Sequence, residues 1–598
     1  MAPERVVNEG EVSINAFAYP LKGGVTSHLS SIYPPKLVIG DTTKDSGTGL
    51  SVHAMSDWRG GIGLFQYEPG RPVDRCWWAV GNIRHKGHFF LEPLPTATAA
   101  STPLLSGIKI GELANDIYAS FGLRFHKYNN GTDDWGSSLV TLAATPTDIL
   151  TVRMPDGTVY LIIAQTNDYD YTSDGAAFTR STKDVKYLAF WDNRLWGIDN
   201  TGQLWFSITL GTEVNDAKLP VPDGEVTDLF VGPLPNGEQG LYAATQTGLW
   251  VHDPANQRFI QTGLVLPRYA GNGTGCAVWR GDIYFPAGRG IYKYSVGSGG
   301  AVISAVGPDR ENGLPAKQQG DIELLVATHN GLIALTQGAT GGNGMVMEYD
   351  GRGWAMLFRS TLITTLDVAY AGSAYSTYRL WFHDVLGRIS YLPLATNLLN
   401  PLEVTTQDYG TIGELQTPWF TADQDEVDKL AVRLRVQVDG ASADETVKVE
   451  YGTNWDTSTF TTLGTITADG ITTYDFPNST TPTGTVFRAI WFKITLSRGA
   501  TTTKTPDVLS ITLEYRKKLP ALWGHTCEVE IRDYNGQSAK EMRSNLLTAI
   551  ESTTLVEFTF RDDDGDTRNF YVDLVQATGL EQTGHNEGGT SRLVMVER

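Results

Sequence analysis

At 598 residues the chain is too long for one core, and two to four domains follow from length alone. A hydrophobic content of 41% and a charged content of 19% are globular values. The net charge of −20, with no run of Lys or Arg, excludes a surface built to neutralise nucleic acid or anionic lipid.

The opening segment, "MAPERVVNEGEV", lacks an apolar stretch of signal-peptide length, and no run of about 18 apolar residues follows it. Synthesis in a cytoplasm and no membrane insertion are therefore expected. Residues 1–60 read as an irregular N-terminal arm.

From 61 to 400 the chain repeats one kind of unit: an apolar-aromatic strand, a short turn carrying Gly, and a second alternating strand. Examples are "LTVRMPDGTVYLIIA" (150–164), "LWGIDNTGQLWFS" (195–207), "LYAATQTGLWVH" (241–252), "IYFPAGRGIYKY" (283–294), "LLVATHNGLIAL" (324–335) and "YRLWFHDVLGRISYLPL" (378–394). Glycine supplies the positive φ that a two-residue hairpin needs. Gly157, Gly202, Gly248, Gly290, Gly331 and Gly387 lie 45, 46, 42, 41 and 56 residues apart. A beat of roughly 40–50 residues with several strands per period predicts the blades of a β-propeller, about six to eight of them. One blade is expected to be closed by strands from both ends of the ring.

Residues 401–418 read as a polar linker. From 419 to 520 the period becomes two. In "LAVRLRVQV", Leu430, Val432, Leu434, Val436 and Val438 share one face, and "TVKVEYGTN", "FRAIWFKITLSRG" and "VLSITLEYRK" continue the pattern. This stretch predicts a β-sandwich of ordinary size. The last segment, 521–598, predicts a small α+β docking module. "SAKEMRSNLLTAIE" has Ser538 and Glu541 at capping-box spacing and an apolar stripe at Met542, Leu546, Ala549 and Ile550, with strands on either side. The fold class is thus all-β dominated: a propeller, a sandwich and a small α+β terminus with free strand edges suited to strand addition.

Signatures of chemistry are weak throughout. "SDGAAF" (173–178) fails the spacing of a sialidase turn, so Asp174 and Gly175 read as turn residues. The Trp-Asp pairs Trp191-Asp192 and Trp455-Asp456 do not recur as WD blades require. A glycosidase needs two carboxylates at fixed separation; Asp228 and Glu323, at strand starts, are candidates but read first as surface or turn-facing groups. His252, His329 and His383 each lie by a blade turn without metal spacing. In "RDDDGDTRNF", Asp562, Asp564 and Asp566 alternate, yet Gly565 falls fourth and Asp573 twelfth, against the calcium-loop pattern; a charged hairpin turn reads more simply. Cys76, Cys276 and Cys527 form neither a disulfide framework nor a zinc pattern and read as small buried residues. Trp58, Trp135, Trp279 and Trp455 could stack on sugars, although core packing is the commoner use of tryptophan. No catalytic, cofactor-binding or metal-binding residue is nominated, and no cofactor is expected.

The order of parts, together with "DRCWWAVG" (74–81), "YDGRGWAML" (349–357), "TPWFTADQDEVDKLAVRLRV" (417–436) and "TLVEFTFRDDDGDT" (554–567), resembles the β-propeller minor tail or tail-tip proteins of tailed-bacteriophage virions. Cys76 departs from that pattern. The resemblance spans most of the chain and implies a non-enzymatic structural component of the tail (tip, baseplate or tail-associated fibre or adaptor), located in the virion after synthesis in the bacterial host. It implies other tail proteins as partners and several copies of the chain around the tail axis. Two alternatives stay open: a receptor-binding or carbohydrate-binding propeller protein contacting the host surface, and a propeller glycoside hydrolase.

Overall fold

The computed structural model describes residues 4–6, 10–30, 50–63, 78–79, 82–86, 90–99, 109–297, 299–309, 314, 318–338, 343–360, 369–383, 388–396, 404, 407–422, 424–477, 479, 482–518, 522–561, 566–578 and 588–597. They fall into two compact units.

The larger unit contains a seven-bladed propeller. Blades 1 to 6 begin on the axis with Ile110–Leu113, Pro146–Arg153, Tyr187–Trp191, Val226–Pro233, Ala277–Trp279 and Ile322–Ala327, and each is a four- or five-stranded antiparallel sheet in chain order. Blade 7 consists of Ala369–Gly372, Arg379–His383 and Ile389–Pro393, and its outermost strand is Thr98–Ala99, which pairs with Ile389–Pro393. The ring is closed by a strand from the other end of the propeller sequence, so no blade edge has to be held by loops alone. The inner strands of neighbouring blades adjoin all the way round, blade 7 against blade 1 included. Apolar layers fill the spaces between blades. Trp196, Ile198 and Leu204 of blade 3, for instance, pack against Leu229, Leu241 and Ala243 of blade 4.

"LWGIDNTGQLWFS" supplies the second and third strands of blade 3, Arg194–Ile198 and Gln203–Ser207. Asp199 Oδ1 accepts from Thr201 N (2.8 Å), Thr201 Oγ1 (2.8 Å) and Gln203 N (2.9 Å), an Asx turn that places Gly202 at φ +80°. Trp196, Leu204 and Trp205 are buried on either side of the sheet.

The sandwich also belongs to the larger unit. One sheet runs Thr461–Ile466, Thr446–Thr453, Ile490–Ser497, Ile412–Gln416, Trp78–Ala79; the other runs Gly470–Asp475, Asp428–Asp439, Asp507–Lys518, Phe90–Pro93, Ile83–Lys86. Two expected boundaries are corrected here. Ile412–Gln416 is an interior strand with Gly413 and Leu415 buried, not part of a 401–418 linker. Residues 51–55, read as part of the arm, and 78–79, 83–86 and 90–93, read as part of a propeller starting at 61, belong to the sandwich. Short aromatic hairpins look alike whichever sheet they join, so composition could not separate them.

Propeller and sandwich are locked by two glycine-tryptophan segments. Trp58 donates to Leu509 O (3.2 Å) in the sandwich, and Ile62 N donates to Trp354 O (2.9 Å) in blade 6. Trp354 donates to Val306 O (2.7 Å) in blade 5. The backbones approach so closely that a Cβ at Gly353 would sit 2.3 Å from Arg59 O, and one at Gly61 2.3 Å from Trp354 O. Only glycine fits there. "YDGRGWAML" is therefore an interlock.

The smaller unit is an eight-stranded antiparallel sheet in the order Glu4–Val6, Val25–Ser30, Leu522–Ile531, Gly589–Glu597, Thr567–Thr578, Val556–Arg561, Glu11–Ile14, Phe17–Pro20. Half of its strands come from the first thirty residues, so the segment read as an arm over 1–60 completes the sheet expected within 521–598. The helix Ala539–Glu551 has the expected capping box, with Ser538 Oγ and Glu541 serving one another. Met542, Leu546 and Ala549 are buried as the stripe predicts, whereas Ile550 is exposed. Asn545 Nδ2 donates to Tyr19 Oη (2.7 Å) and Tyr19 Oη to Met542 O (2.8 Å), which fixes the helix on the N-terminal hairpin.

Candidate functional site

A propeller presents ligands chiefly at the two ends of its axis, where loops from several blades converge. At one end the inner strands begin. Blades 2 and 4 open with the same local sequence, "PTDIL" (146–150) and "VTDLF" (226–230), and in both the register shifts by one residue at the Asp.

The bulge turns each carboxylate inward along the ring. Asp148 accepts from Ile149 N (2.8 Å) and, across the gap, from Leu188 N of blade 3 (2.8 Å). Asp228 accepts from Leu229 N (2.7 Å) and from Cys276 N at the entry to blade 5 (2.7 Å). Each oxygen of each carboxylate thus holds a backbone amide, and each residue ties its blade to the next. Burial raises Asp148 to about 6; the charge of Lys109 and the two amides oppose the rise. Burial raises Asp228 to about 7, helped by the charge on Asp148. Tyr187 and Cys276 complete this acidic axis, both pushed up by burial and then by Asp228. Lys186, pulled down by burial, donates to Val226 O (2.7 Å).

The same end carries an off-axis groove of about 390 Å³ on blades 4, 5 and 6, in which Tyr269, Tyr292, Arg289 and Asp321 meet. At the opposite end, a cavity of about 470 Å³ lies among Glu112, Thr151, His329, Tyr370 and Tyr378; Tyr370 Oη donates to Glu112 Oε2 (3.3 Å).

The structure separates the residues singled out in the sequence. Asp228 lies half-buried on the axis, and Glu323 is likewise half-buried near the start of blade 6. Asp148 was missed, although the repeated Thr-Asp pair was a usable signal. The histidines are not gathered: His252 lies 3.2 Å from Asp216 between blades 3 and 4, His329 meets the Tyr378 ring at a tilt of 54°, and His383 ends the second strand of blade 7. Burial lowers the pKa of His252, with Asp216 opposing. Asp174 is a turn residue, accepting from Ala176 N and Ala177 N (both 2.8 Å), which hold its carboxyl below the usual range.

Asp192 begins the blade 3 hairpin turn at φ +52°. Trp455 sits in a turn with φ +66°, and Asp456, bonded to Ser458 and Thr459, is held at about 2. Cys276 and Cys527 are unpaired thiols, Cys527 raised to about 12 by burial; Cys76 lies outside the described residues. Asp562, Asp564 and Gly565 also lie outside them, between two strands that pair as a hairpin, Arg561 opposite Thr567. Of the four tryptophans considered for stacking, Trp58, Trp135 and Trp279 are core residues, and Trp455 is 41% exposed. Among the described residues no cluster of His, Cys, Asp and Glu is arranged to hold a metal ion.

No protein-family model and no curated protein matches the chain. Among solved structures, virginiamycin B lyase from Staphylococcus aureus aligns at 10% identity over 50% of this chain and 98% of its own, with a TM-score of 0.38. BBS1N in complex with ARL6DN aligns at 12% identity over 52% and 98%, TM-score 0.39. The computationally designed Ika8 protein aligns at 10% over 50% and 98%, TM-score 0.34. The fold itself rests on the strand pairing: the chain is a β-propeller protein with a sandwich locked to the ring.

Proposed function

We propose that this chain is a non-enzymatic structural component of a bacteriophage tail, assembling with other tail proteins in several copies around the tail axis. The observation that carries the reading is the use made of the acidic axis. Asp148 and Asp228 stand where a propeller enzyme would hold its reacting carboxylates, but their oxygens are occupied by the amides of Ile149, Leu188, Leu229 and Cys276. Groups so engaged brace a ring. The glycine-tryptophan interlock of ring and sandwich and the pairing of both chain ends in one sheet also suit a rigid building block. The likeness of "YDGRGWAML" and "TPWFTADQDEVDKLAVRLRV" to tail proteins supplies the phage context.

The test is a reconstruction of tailed-phage particles whose genome encodes this chain, combined with mass spectrometry of the purified virions. Density for a seven-bladed ring repeated about the tail axis is the expected result. Virions that lack the chain would overturn the assignment.

A further inference from the structure

We propose that the groove on blades 4, 5 and 6 is a binding site for a neutral pyranose sugar. The inference rests on the propeller rim alone and holds whether or not the chain is part of a tail.

The groove is formed by the connector from blade 4 to blade 5, the second turn of blade 5 and the first residue before blade 6. Tyr269, on the connector, is 47% exposed. An aromatic ring left in water forgoes the stabilisation that burying a large apolar side chain brings. Here the ring is held out by a fixed loop. Tyr269 N donates to Gln246 O (3.2 Å), Leu266 N to Thr247 O (2.9 Å) and Gly273 N to Pro286 O (2.8 Å). The buried Asn272 side chain spans the loop, donating to Gln246 O (2.9 Å) and Pro267 O (3.0 Å). Such a platform loses little entropy when a ligand settles on it.

The other walls are tied to it. Ile322 N donates to Gly288 O (2.8 Å), fixing blade 6 to the turn of blade 5, and the Tyr269 hydroxyl donates to Asp321 Oδ2. Gly288 has φ +58°, and a Cβ there would lie 3.7 Å from the Tyr269 ring, so a larger side chain would fill the groove.

The chemistry matches a sugar. Tyr269 and Tyr292 offer apolar faces for the C–H face of a pyranose. Asp321 supplies an acceptor, and among the described residues its Oδ1 takes no hydrogen bond. The exposed Arg289 supplies donors; its Nη1 also holds Gln319 Oε1 (3.0 Å). A carboxylate and a guanidinium flanking two rings are the complement of adjacent hydroxyls, which both donate and accept. Asp321 and the overall charge of −20 disfavour an acidic sugar. The volume of about 390 Å³ falls within the roughly 300–1,000 Å³ of small-molecule sites.

The experiment is saturation-transfer NMR on the full chain with the methyl glycosides of glucose, galactose, mannose and N-acetylglucosamine, and with methyl glucuronide. At least one neutral glycoside is expected to bind, with methyl glucuronide weaker than its neutral counterpart. Tyr269→Ala should weaken that binding at least tenfold while circular dichroism and melting stay unchanged. Tyr269→Phe, which keeps the ring but not the hydroxyl, should retain most of it. Absence of binding by every neutral glycoside, equal binding to wild type and Tyr269→Ala, or a preference for the glucuronide would each overturn the proposal.

Discussion

Two sets of aspartates on the same end of the propeller are used in opposite ways. On the axis, Asp148 and Asp228 are engaged by two backbone amides each, and each joins one blade to the next. At the rim, Asp321 is joined to the exposed Tyr269 and faces a groove. Asp199, in the second turn of blade 3, stands between these cases, its carboxylate closing only its own turn. Residue type does not decide the role. What decides it is how many fixed donors surround the carboxylate and how much water remains near it.

The largest effect expected from this contrast is on the axis. Asp228→Ala would leave the amides of Leu229 and Cys276 without their acceptor and remove the tie between blades 4 and 5. At about 1–3 kcal/mol for each unsatisfied amide, a loss of about 2–6 kcal/mol is expected. It should register as a lower midpoint of the propeller transition in scanning calorimetry. A midpoint within 1 °C (about 0.6 kcal/mol for a unit this size) would show that the axis is not bracing the ring.

The next effect is a pH dependence with a defined sign. Both carboxyls have folded pKa values raised from 3.8, Asp148 to about 6 and Asp228 to about 7. Between the unfolded and folded values the native state holds more protons than the unfolded chain, so stability falls as pH rises. Their contribution is fully present below about pH 4 and is lost as pH climbs through about 6 and then about 7. Comparing wild type with the Asp148→Asn/Asp228→Asn double variant cancels the carboxylates common to both. Wild type should lose more stability from pH 5 to pH 8, by on the order of 4 kcal/mol. Parallel melting curves would mean that both groups are already ionised at pH 5.

How far the sequence disclosed all this depends on how local the signal was. Hairpin turns favour glycine, so blades were visible as a beat of Gly157, Gly202, Gly248, Gly290 and Gly331, of which Gly157, Gly202 and Gly248 take a positive φ. Yet that beat mixes positions: Gly157 and Gly331 lie between first and second strands, Gly202 lies between second and third, and Gly248 and Gly290 open the third. The inner strands begin at 110, 146, 187, 226, 277, 322 and 369, and their unequal spacing leaves the count of seven to the structure. Pairings over long separations were illegible. Ile14 opposite Phe558 and Trp78 opposite Gln416 join segments whose local patterns carry no address. For the axis, the repeated Thr-Asp was on the page, but its meaning depends on a bulge and on amides from the next blade. The groove draws on three blades, and only Tyr269 among its residues departs from an ordinary blade pattern.

Asp199→Ala tests the intermediate case. Removing the Asx turn leaves the amides of Thr201 and Gln203 to water, which reaches them because Asn200 is exposed and Thr201 is half-exposed at the end of the blade. A loss of about 1 kcal/mol is expected by chemical denaturation, with no change in its pH dependence. A loss as large as that for Asp228→Ala would erase the distinction between turn and axis.

Asp321→Ala completes the series at its smallest end. The Tyr269 hydroxyl would exchange its carboxylate partner for water, since the ring is already half in solvent, and blade 6 would remain tied through Ile322 N and Gly288 O. The stability change should stay within about 0.5 kcal/mol, the usual range for exposed positions. If instead it matched the axial variant, Asp321 would be one more brace, its pairing with Tyr269 would serve the ring, and the groove would lose its carboxylate acceptor for a ligand. Near-neutrality is what marks a carboxylate that the fold does not require, and Asp321, facing the groove, is placed to show it.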